Sequence, residues 1–140
     1  MKIKTSFVTN SSSTSFIVIA EGEFSSEDFS EALGIEASSP IFQLFDDLYE
    51  TILGKAENLT EEYKLTKKYE DQSFECFLKE KYNFDERTII KMIEAEKEGK
   101  TVLTGYLSSD GESGAEQLFV TESFYGISKK LYIEGVENAW

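Results

Sequence analysis

Five consecutive apolar residues near the amino terminus, Phe16 to Ala20, constrain the fold more than any other feature. The surrounding segment, Thr14 to Gly22, is rich in β-branched and aromatic residues, which favours a strand that ends at Gly22. Because successive side chains of a strand point to opposite faces, an uninterrupted apolar run predicts burial on both faces. We therefore expect a central strand with cover on each side.

The segment from Pro40 to Gly54 contains the strongest helical signal. Ser38 or Ser39 is the predicted N-cap, Pro40 lies in the first turn, and Gly54 is the predicted end. Apolar residues recur at the spacing of one helix face, which we expect to pack on the core: Ile41, Leu44, Phe45, Leu48 and Ile52.

One shorter helix is predicted before this segment and another after it. The first begins at a cap, Ser25 or Ser26, has acidic residues in its first turn, and ends at Gly34. The second is a weaker and more exposed helix that is capped by Thr60.

Two further helices are predicted before residue 100. The first, in "SFECFLKEKYN", brings several apolar residues together on one face. The second, in "FDERTIIKMIEAEKEG", has Asp85 as its cap and Gly99 as its end. The residues expected to face the core are Phe74, Phe77, Leu78 and Tyr82 in the first and Ile89, Ile90 and Ile93 in the second.

Beyond residue 100 the composition becomes typical of strands. Thr101 to Ser109 and Lys129 to Gly135 are both predicted strands, and a Gly-containing loop lies between them. Segment 115–125 is compatible with a strand or a helix, and its β-branched residues favour the strand. We expect a single α+β domain over residues 1–140. Its N-terminal and C-terminal strands form a small, mainly antiparallel sheet, which the helical middle covers.

The chain contains no histidine and a single cysteine, Cys76. The absence of histidine removes the commonest general base and metal ligand, and one cysteine can form neither an internal disulfide nor a Cys-based zinc cluster. The sequence therefore offers no catalytic residue and argues against an enzyme, and we expect no metal and no cofactor. Because Phe74 and Phe77 flank Cys76, we expect it to be buried.

Negative charge is concentrated in one part of the chain. The formal net charge is -13, and residues 21–62 contain twelve acids and one lysine. Such a field repels phosphate backbones and anionic lipids, so we expect no direct binding to nucleic acid or membranes, while a basic protein partner is favoured. Asp46, Asp47 and Glu50, which lie within one turn of the predicted helix, are the candidate partner-binding residues.

A polar run, Thr9 to Ser15, precedes the first strand and contains only hydroxyl and amide side chains. Hydroxyl and backbone N–H groups can bind an anion, but this run lacks the glycines and the lysine of a phosphate loop. A connector whose hydroxyls satisfy local backbone groups is the simpler interpretation. If the run is a ligand site, its candidate residues are Thr9, Asn10, Ser11, Ser12 and Ser13.

The segment "FVTNSSSTSFIV", residues 7–18, resembles the N-terminal segment of a set of small uncharacterised prokaryotic proteins. Those proteins begin with a few basic residues, followed by a similar Asn-Ser-Ser-Ser run and an apolar stretch. The resemblance covers about residues 4–19 here, implies a prokaryotic or phage origin and carries over no activity. The apolar stretch is too short for a secretory signal or a membrane span, so we expect a cytoplasmic protein.

Two functional hypotheses follow. The first is a non-enzymatic interaction or regulatory protein that binds a basic protein partner through its acidic region. The alternative is a small-ligand or phosphate-binding protein, or an enzyme, that uses the Ser/Thr-rich run. The identity of a partner and the oligomeric state are open at this point.

Overall fold

The computed structural model describes residues 13–66, 71–108, 115 and 123–137. No helix in these ranges has the length and apolar content required to cross a membrane. The elements, in chain order, are β1 (Ser13–Ala20), α1 (Ser26–Ala32), α2 (Phe42–Lys55), β2 (Glu57–Asn58), α3 (Leu59–Leu65), α4 (Phe74–Lys81), α5 (Glu86–Lys97), β3 (Thr101–Ser108), β4 (Phe124–Ile127) and β5 (Leu131–Glu137).

Strand β1 lies at the centre of a five-stranded antiparallel sheet with the order β2-β3-β1-β5-β4. It pairs with β3 over its whole length and with β5 from Thr14 to Ala20. All five residues from Phe16 to Ala20 are buried. The central strand and the α+β fold are therefore confirmed. The edge strand β2 was not predicted, because two polar residues show no strand pattern.

Helices α1 and α2 lie over one face of the sheet. Phe16 and Val18 of β1 belong to the same buried cluster as Phe29 of α1 and Leu48 and Ile52 of α2. The helix predicted from Pro40 to Gly54 thus packs through the face that its periodicity indicates.

Helices α3, α4 and α5 lie over the opposite face. Ile17 and Ile19, which alternate with the residues of the first cluster, are buried with Leu59 of α3, Phe77 of α4 and Met92 of α5. The helical middle therefore covers the sheet on both sides, as the uninterrupted apolar run of β1 requires.

Several predicted helix boundaries are confirmed by their hydrogen bonds. Ser25 Oγ accepts a hydrogen bond from Asp28 N at 3.2 Å, and Asp85 Oδ1 accepts one from Thr88 N at 2.8 Å. Both side chains thereby satisfy backbone N–H groups that have no partner inside the helix. After α1, Gly34 adopts a φ of 78°, a left-handed conformation that residues with a Cβ rarely adopt.

The serine cap predicted for α2 is wrong. The helix begins at Phe42, and its N-cap, Ile41, makes no side-chain capping hydrogen bond. Ser39 Oγ instead accepts a hydrogen bond from Ile41 N at 3.3 Å, in the turn before the helix. The helix also continues one residue past Gly54, to Lys55.

The cap predicted for α3 is wrong as well. Asn58 is the N-cap, and its Oδ1 accepts a hydrogen bond from Glu61 N at 3.0 Å. Thr60 lies inside the helix and donates its hydroxyl to the same Oδ1 at 2.7 Å. Leu59 and Thr60 are buried, so the first turn of this helix packs on the core rather than facing solvent.

The inward orientation of Ile90 is a further incorrect prediction. Helix α5 packs through Ile89, Met92 and Ala95, which are buried, whereas Ile90 is 51% exposed. These three buried residues are spaced three apart and define one side of the helix, and Ile90 lies beyond that side. The positions of the isoleucines alone did not indicate that Met92 would lie at the centre of the buried side of α5.

Most of the ambiguous segment 115–125 lies outside the described residues. Ala115 is buried among the residues that α1 and α2 cover. At the other end, Phe124 begins β4, which pairs antiparallel with β5. Among the described residues of the segment, Ala115 is helical and Phe124 and Tyr125 belong to a strand, so its two ends differ.

Candidate functional site

The predicted partner-binding residues lie on the outer side of helix α2. Asp47 and Glu50 are exposed and Asp46 is half-buried, whereas Leu48 is buried against the sheet. The helical repeat thus separates the acids from the core. Asp47 Oδ1 accepts a hydrogen bond from Gln43 Nε2 at 3.1 Å, so an uncharged amide is its partner.

Exposed acids on α1 and on the turn after it extend this surface. Because α1 and α2 pack against each other, these acids lie on the same side of the sheet as those of α2. We use the name acidic layer for the outer surface formed by Glu27, Glu31, Glu36, Asp46, Asp47 and Glu50. None of the six forms an ion pair with a lysine or arginine in the part of the chain that the structure describes.

Asp28 of α1 differs from the acids of this layer because it has a structural role. Its carboxylate accepts a hydrogen bond from Ser25 N at 2.8 Å and lies 3.3 Å from Lys130 Nζ. The backbone N–H of Ser25, followed by the hydrogen bond from Lys130, holds the pKa of Asp28 below its usual value. Lys55, the only cation of residues 21–62, lies at the far end of α2, with its Nζ 5.7 Å from the Tyr106 ring centroid.

Only one of the predicted ligand residues, Ser13, belongs to the described part of the chain. Thr9, Asn10, Ser11 and Ser12 lie outside it. Ser13 is the first residue of β1, is half-buried, and lines an open cleft of about 470 Å³.

This cleft lies between the edge of the sheet and the α4–α5 connection. Ser13 and Ser15 share a sheet face with Tyr106, because the antiparallel register places Ser15 opposite Tyr106. The opposite wall consists of residues 82–84, and Glu57 of β2 closes the side. Hydroxyl, amide and carboxylate groups thus meet aromatic rings in one concave surface, an arrangement typical of small-ligand sites.

The electrostatics of the cleft are set by carboxylates. The Tyr82 hydroxyl donates to Glu57 Oε2 at 3.1 Å and lies 3.4 Å from Glu62 Oε2. Burial, reinforced by these carboxylates, raises the pKa of Tyr82 far above its usual value, so the phenol stays protonated. Lys81 pairs with Glu62, and the described lining includes neither lysine nor arginine. These features disfavour a phosphate ligand.

Glu57, Tyr82 and Asn83 are cleft residues that the sequence did not reveal. They come close to Ser13 only because β2 pairs with β3 and because the α4–α5 connection passes over the sheet edge. Neither feature has a local sequence signature.

No arrangement of acids and cysteine suited to a metal ion occurs in the described ranges. Cys76 is exposed on α4, so its predicted burial is wrong. The helical repeat turns Phe74 and Phe77 toward the core and leaves the position between them on the solvent side.

No family model, curated protein or solved structure is significantly similar to this chain.

Proposed function

We propose that the protein is a non-enzymatic interaction or regulatory protein that binds a basic protein partner in the cytoplasm through the acidic layer. The observation that supports this proposal best is the set of six carboxylates on one helical layer, which have no ion-pair partner among the described cations. A complementary basic surface would steer association and give it a strong dependence on salt.

The charge pattern also distinguishes between classes of partner. Nucleic acids and anionic membranes present phosphates, which the acidic layer repels. A protein surface rich in lysine and arginine has the opposite sign and can match the spacing of carboxylates on two packed helices.

The proposal is tested by affinity capture with two variants of equal charge. Asp47→Lys/Glu50→Lys reverses two charges in the acidic layer. Glu94→Lys/Glu98→Lys reverses two charges on and just after α5, on the opposite face of the sheet. We expect wild type and the α5 variant to retain a basic partner, and the acidic-layer variant to lose it.

The comparison separates a local surface from overall charge. Equal loss in both variants would mean that net charge alone governs binding. Retention by both variants, or recovery of acidic or nucleic-acid partners only, would contradict the proposal.

The cleft beside Ser13 supports a second candidate function, the binding of an uncharged, hydroxylated small molecule. Ser13 and Asn83 offer donors and acceptors, Glu57 offers an acceptor, and Phe84 and Tyr106 offer aromatic surface. This candidate retains the small-ligand part of the alternative hypothesis. A phosphate ligand is disfavoured because the described residues that line the cleft include no lysine or arginine.

Thermal unfolding with a monosaccharide, a nucleoside and inorganic phosphate as probes tests this second candidate. A ligand at 100 times its dissociation constant adds about 2.7 kcal/mol to the free energy of unfolding. We expect stabilisation by a neutral probe that is lost in Asn83→Ala. Stabilisation by phosphate alone, or by no probe, would contradict it.

A further inference from the structure

Helix α1 and the turn after it enclose an open cleft of about 870 Å³ within the acidic layer. Glu27, Ser30 and Glu31 line one wall, because positions i, i+3 and i+4 share a helix face. Residues 34–37 and Phe42, at the start of α2, line the other wall. We call this space the α1 cleft.

An unpartnered hydroxyl lies in the wall of the α1 cleft. Ser30 is 2% exposed, and its Oγ has no hydrogen-bond partner in the described structure. A buried hydroxyl without a partner is destabilising, and native proteins leave few such groups. This feature is independent of the acids, and a polar group of a ligand would give the hydroxyl the partner that it lacks.

The chemistry of the walls defines that ligand. Glu27, Glu31 and Glu36 surround the cleft with carboxylates, while Ile35 and Phe42 supply apolar surface. An aliphatic stem with a positively charged end matches both properties, because such side chains bury their stems and keep their charged heads among polar groups. The ammonium or guanidinium group donates hydrogen bonds, which the carboxylates and the Ser30 hydroxyl can accept.

We infer that the α1 cleft receives a lysine or arginine side chain of the basic protein partner. The stem lies along Ile35 and Phe42, and the charged head lies among Glu27, Glu31 and the Ser30 hydroxyl. This inference rests on the proposed function, because it names the point at which the acidic layer anchors its partner.

The first test is an NMR titration of the isotope-labelled full chain with two blocked pentapeptides, Gly-Ala-Lys-Ala-Gly and its norleucine counterpart. The lysine peptide is expected to cause saturable shifts in the amide signals of Ser30 and residues 34–37, and the norleucine peptide none. Equal responses to the two peptides would overturn the inference. So would butylammonium that binds as tightly as the lysine peptide, because the site would then recognise a free small cation rather than a protein.

Ser30→Ala gives the most specific result. Removing the unpaired hydroxyl should raise Tm by about 2–5 °C, because a buried polar group without a partner is lost. The same change should weaken binding of the lysine peptide by about tenfold, because the charged head loses an acceptor. Ser26→Ala, on the same helix but outside the α1 cleft, is the matched control. A rise in Tm with unchanged affinity would overturn the ligand role of Ser30.

Charge-neutralising variants separate this inference from the proposed function. Glu31→Gln should weaken binding of the lysine peptide by about fivefold or more, and Glu94→Gln on α5 by less than about twofold. If Asp47→Asn weakens binding as much as Glu31→Gln, the cation is bound diffusely, which overturns the α1 cleft but leaves the acidic layer. If neither this peptide nor a lysine-rich decapeptide binds at low salt, both proposals fail.

Discussion

The two helical layers of this protein cover the same sheet with equally apolar inner surfaces but carry different charges outside. The inner side of α1 and α2 and that of α3–α5 each pack on alternate residues of β1. Residues 26–55, which span α1 and α2, hold seven acids and one lysine. Residues 59–97, which span α3–α5, hold ten acids and eight bases.

The balanced layer shows what the fold itself requires. On that side Lys79 pairs with Glu75 at 2.7 Å, and Arg87 pairs with Glu134 of β5 at 3.1 Å. A helical layer can therefore cover this sheet with mixed charges. Because the fold does not demand an acidic surface on the other side, the contrast supports the proposed recognition of a basic partner.

The largest expected effect tests whether both faces of the sheet are equally essential. Ile17→Asp places a charge in the core beneath α3–α5, and Val18→Asp places one beneath α1 and α2. Each should abolish cooperative thermal unfolding, because a buried unpaired charge has no compensation. Ile17→Val, the control, should cost about 0.5–1.5 kcal/mol. An unchanged melting curve for either aspartate variant would show that the core on that face of the sheet is not essential to the fold.

A smaller loss of stability is expected when one buried leucine from each layer is replaced by alanine. Leu48 of α2 and Leu78 of α4 are both fully buried, so each replacement by alanine should lower the free energy of unfolding by about 2–5 kcal/mol. Leu53→Ala should cost much less, because Leu53 is 41% exposed. Denaturant titration measures these differences. A cost at Leu48 no larger than that at Leu53 would show that α2 is oriented incorrectly.

A third prediction concerns a structural carboxylate of the balanced layer, Asp85, which caps α5. The hydrogen bonds from Thr88 hold the pKa of Asp85 below its usual value. The pKa of Asp85 is therefore lower in the folded protein than in the unfolded chain. The ionised carboxylate stabilises the folded state fully above the unfolded pKa of about 3.9, and this contribution is lost as pH falls through the folded pKa. At neutral pH, Asp85→Ala should cost about 1 kcal/mol.

The pH dependence supplies the check on Asp85. The stability difference between wild type and Asp85→Ala, measured by urea unfolding, should shrink as pH falls below about 4. Asp85→Asn keeps a capping oxygen without a titrating charge and should cost less at neutral pH. A stability difference between wild type and Asp85→Ala that grows at low pH would contradict the assignment.

The smallest effect concerns repulsion within the acidic layer. Glu50 lies three and four residues after Asp47 and Asp46, whereas Glu94 of α5 lies three residues from both Lys91 and Lys97. Glu50→Gln should therefore raise stability by about 0.2–0.5 kcal/mol at low ionic strength, and Glu94→Gln should lower it slightly. Both differences should disappear at about 1 M salt, where the Debye length is roughly 3 Å. The same sign for both variants would contradict the charge asymmetry between layers.

The features that were predicted correctly from sequence depend on local pattern. The apolar run of β1 indicated burial on both faces, and the caps at Ser25 and Asp85 follow from side chains that satisfy nearby backbone groups. The outward position of Asp46, Asp47 and Glu50 follows from the 3.6-residue repeat of α2.

The incorrect predictions arose where packing or distant residues decide the outcome. Ile90 and Cys76 are exposed because each neighbouring position fits the core better, which residue type alone does not reveal. The α1 cleft was not predicted because its walls depend on how the turn after α1 folds back on Ser30. The cleft beside Ser13 requires Tyr82, which is distant in sequence.

The most direct test of the acidic layer is an amide chemical-shift map of the full chain during titration with a lysine-rich decapeptide. We predict saturable shifts concentrated in residues 26–55 and an affinity that falls steeply as salt is raised from 20 to about 150 mM. The map would contradict the proposed function if the largest shifts lay on α4 and α5, where charges are balanced, or if no signal moved at low salt.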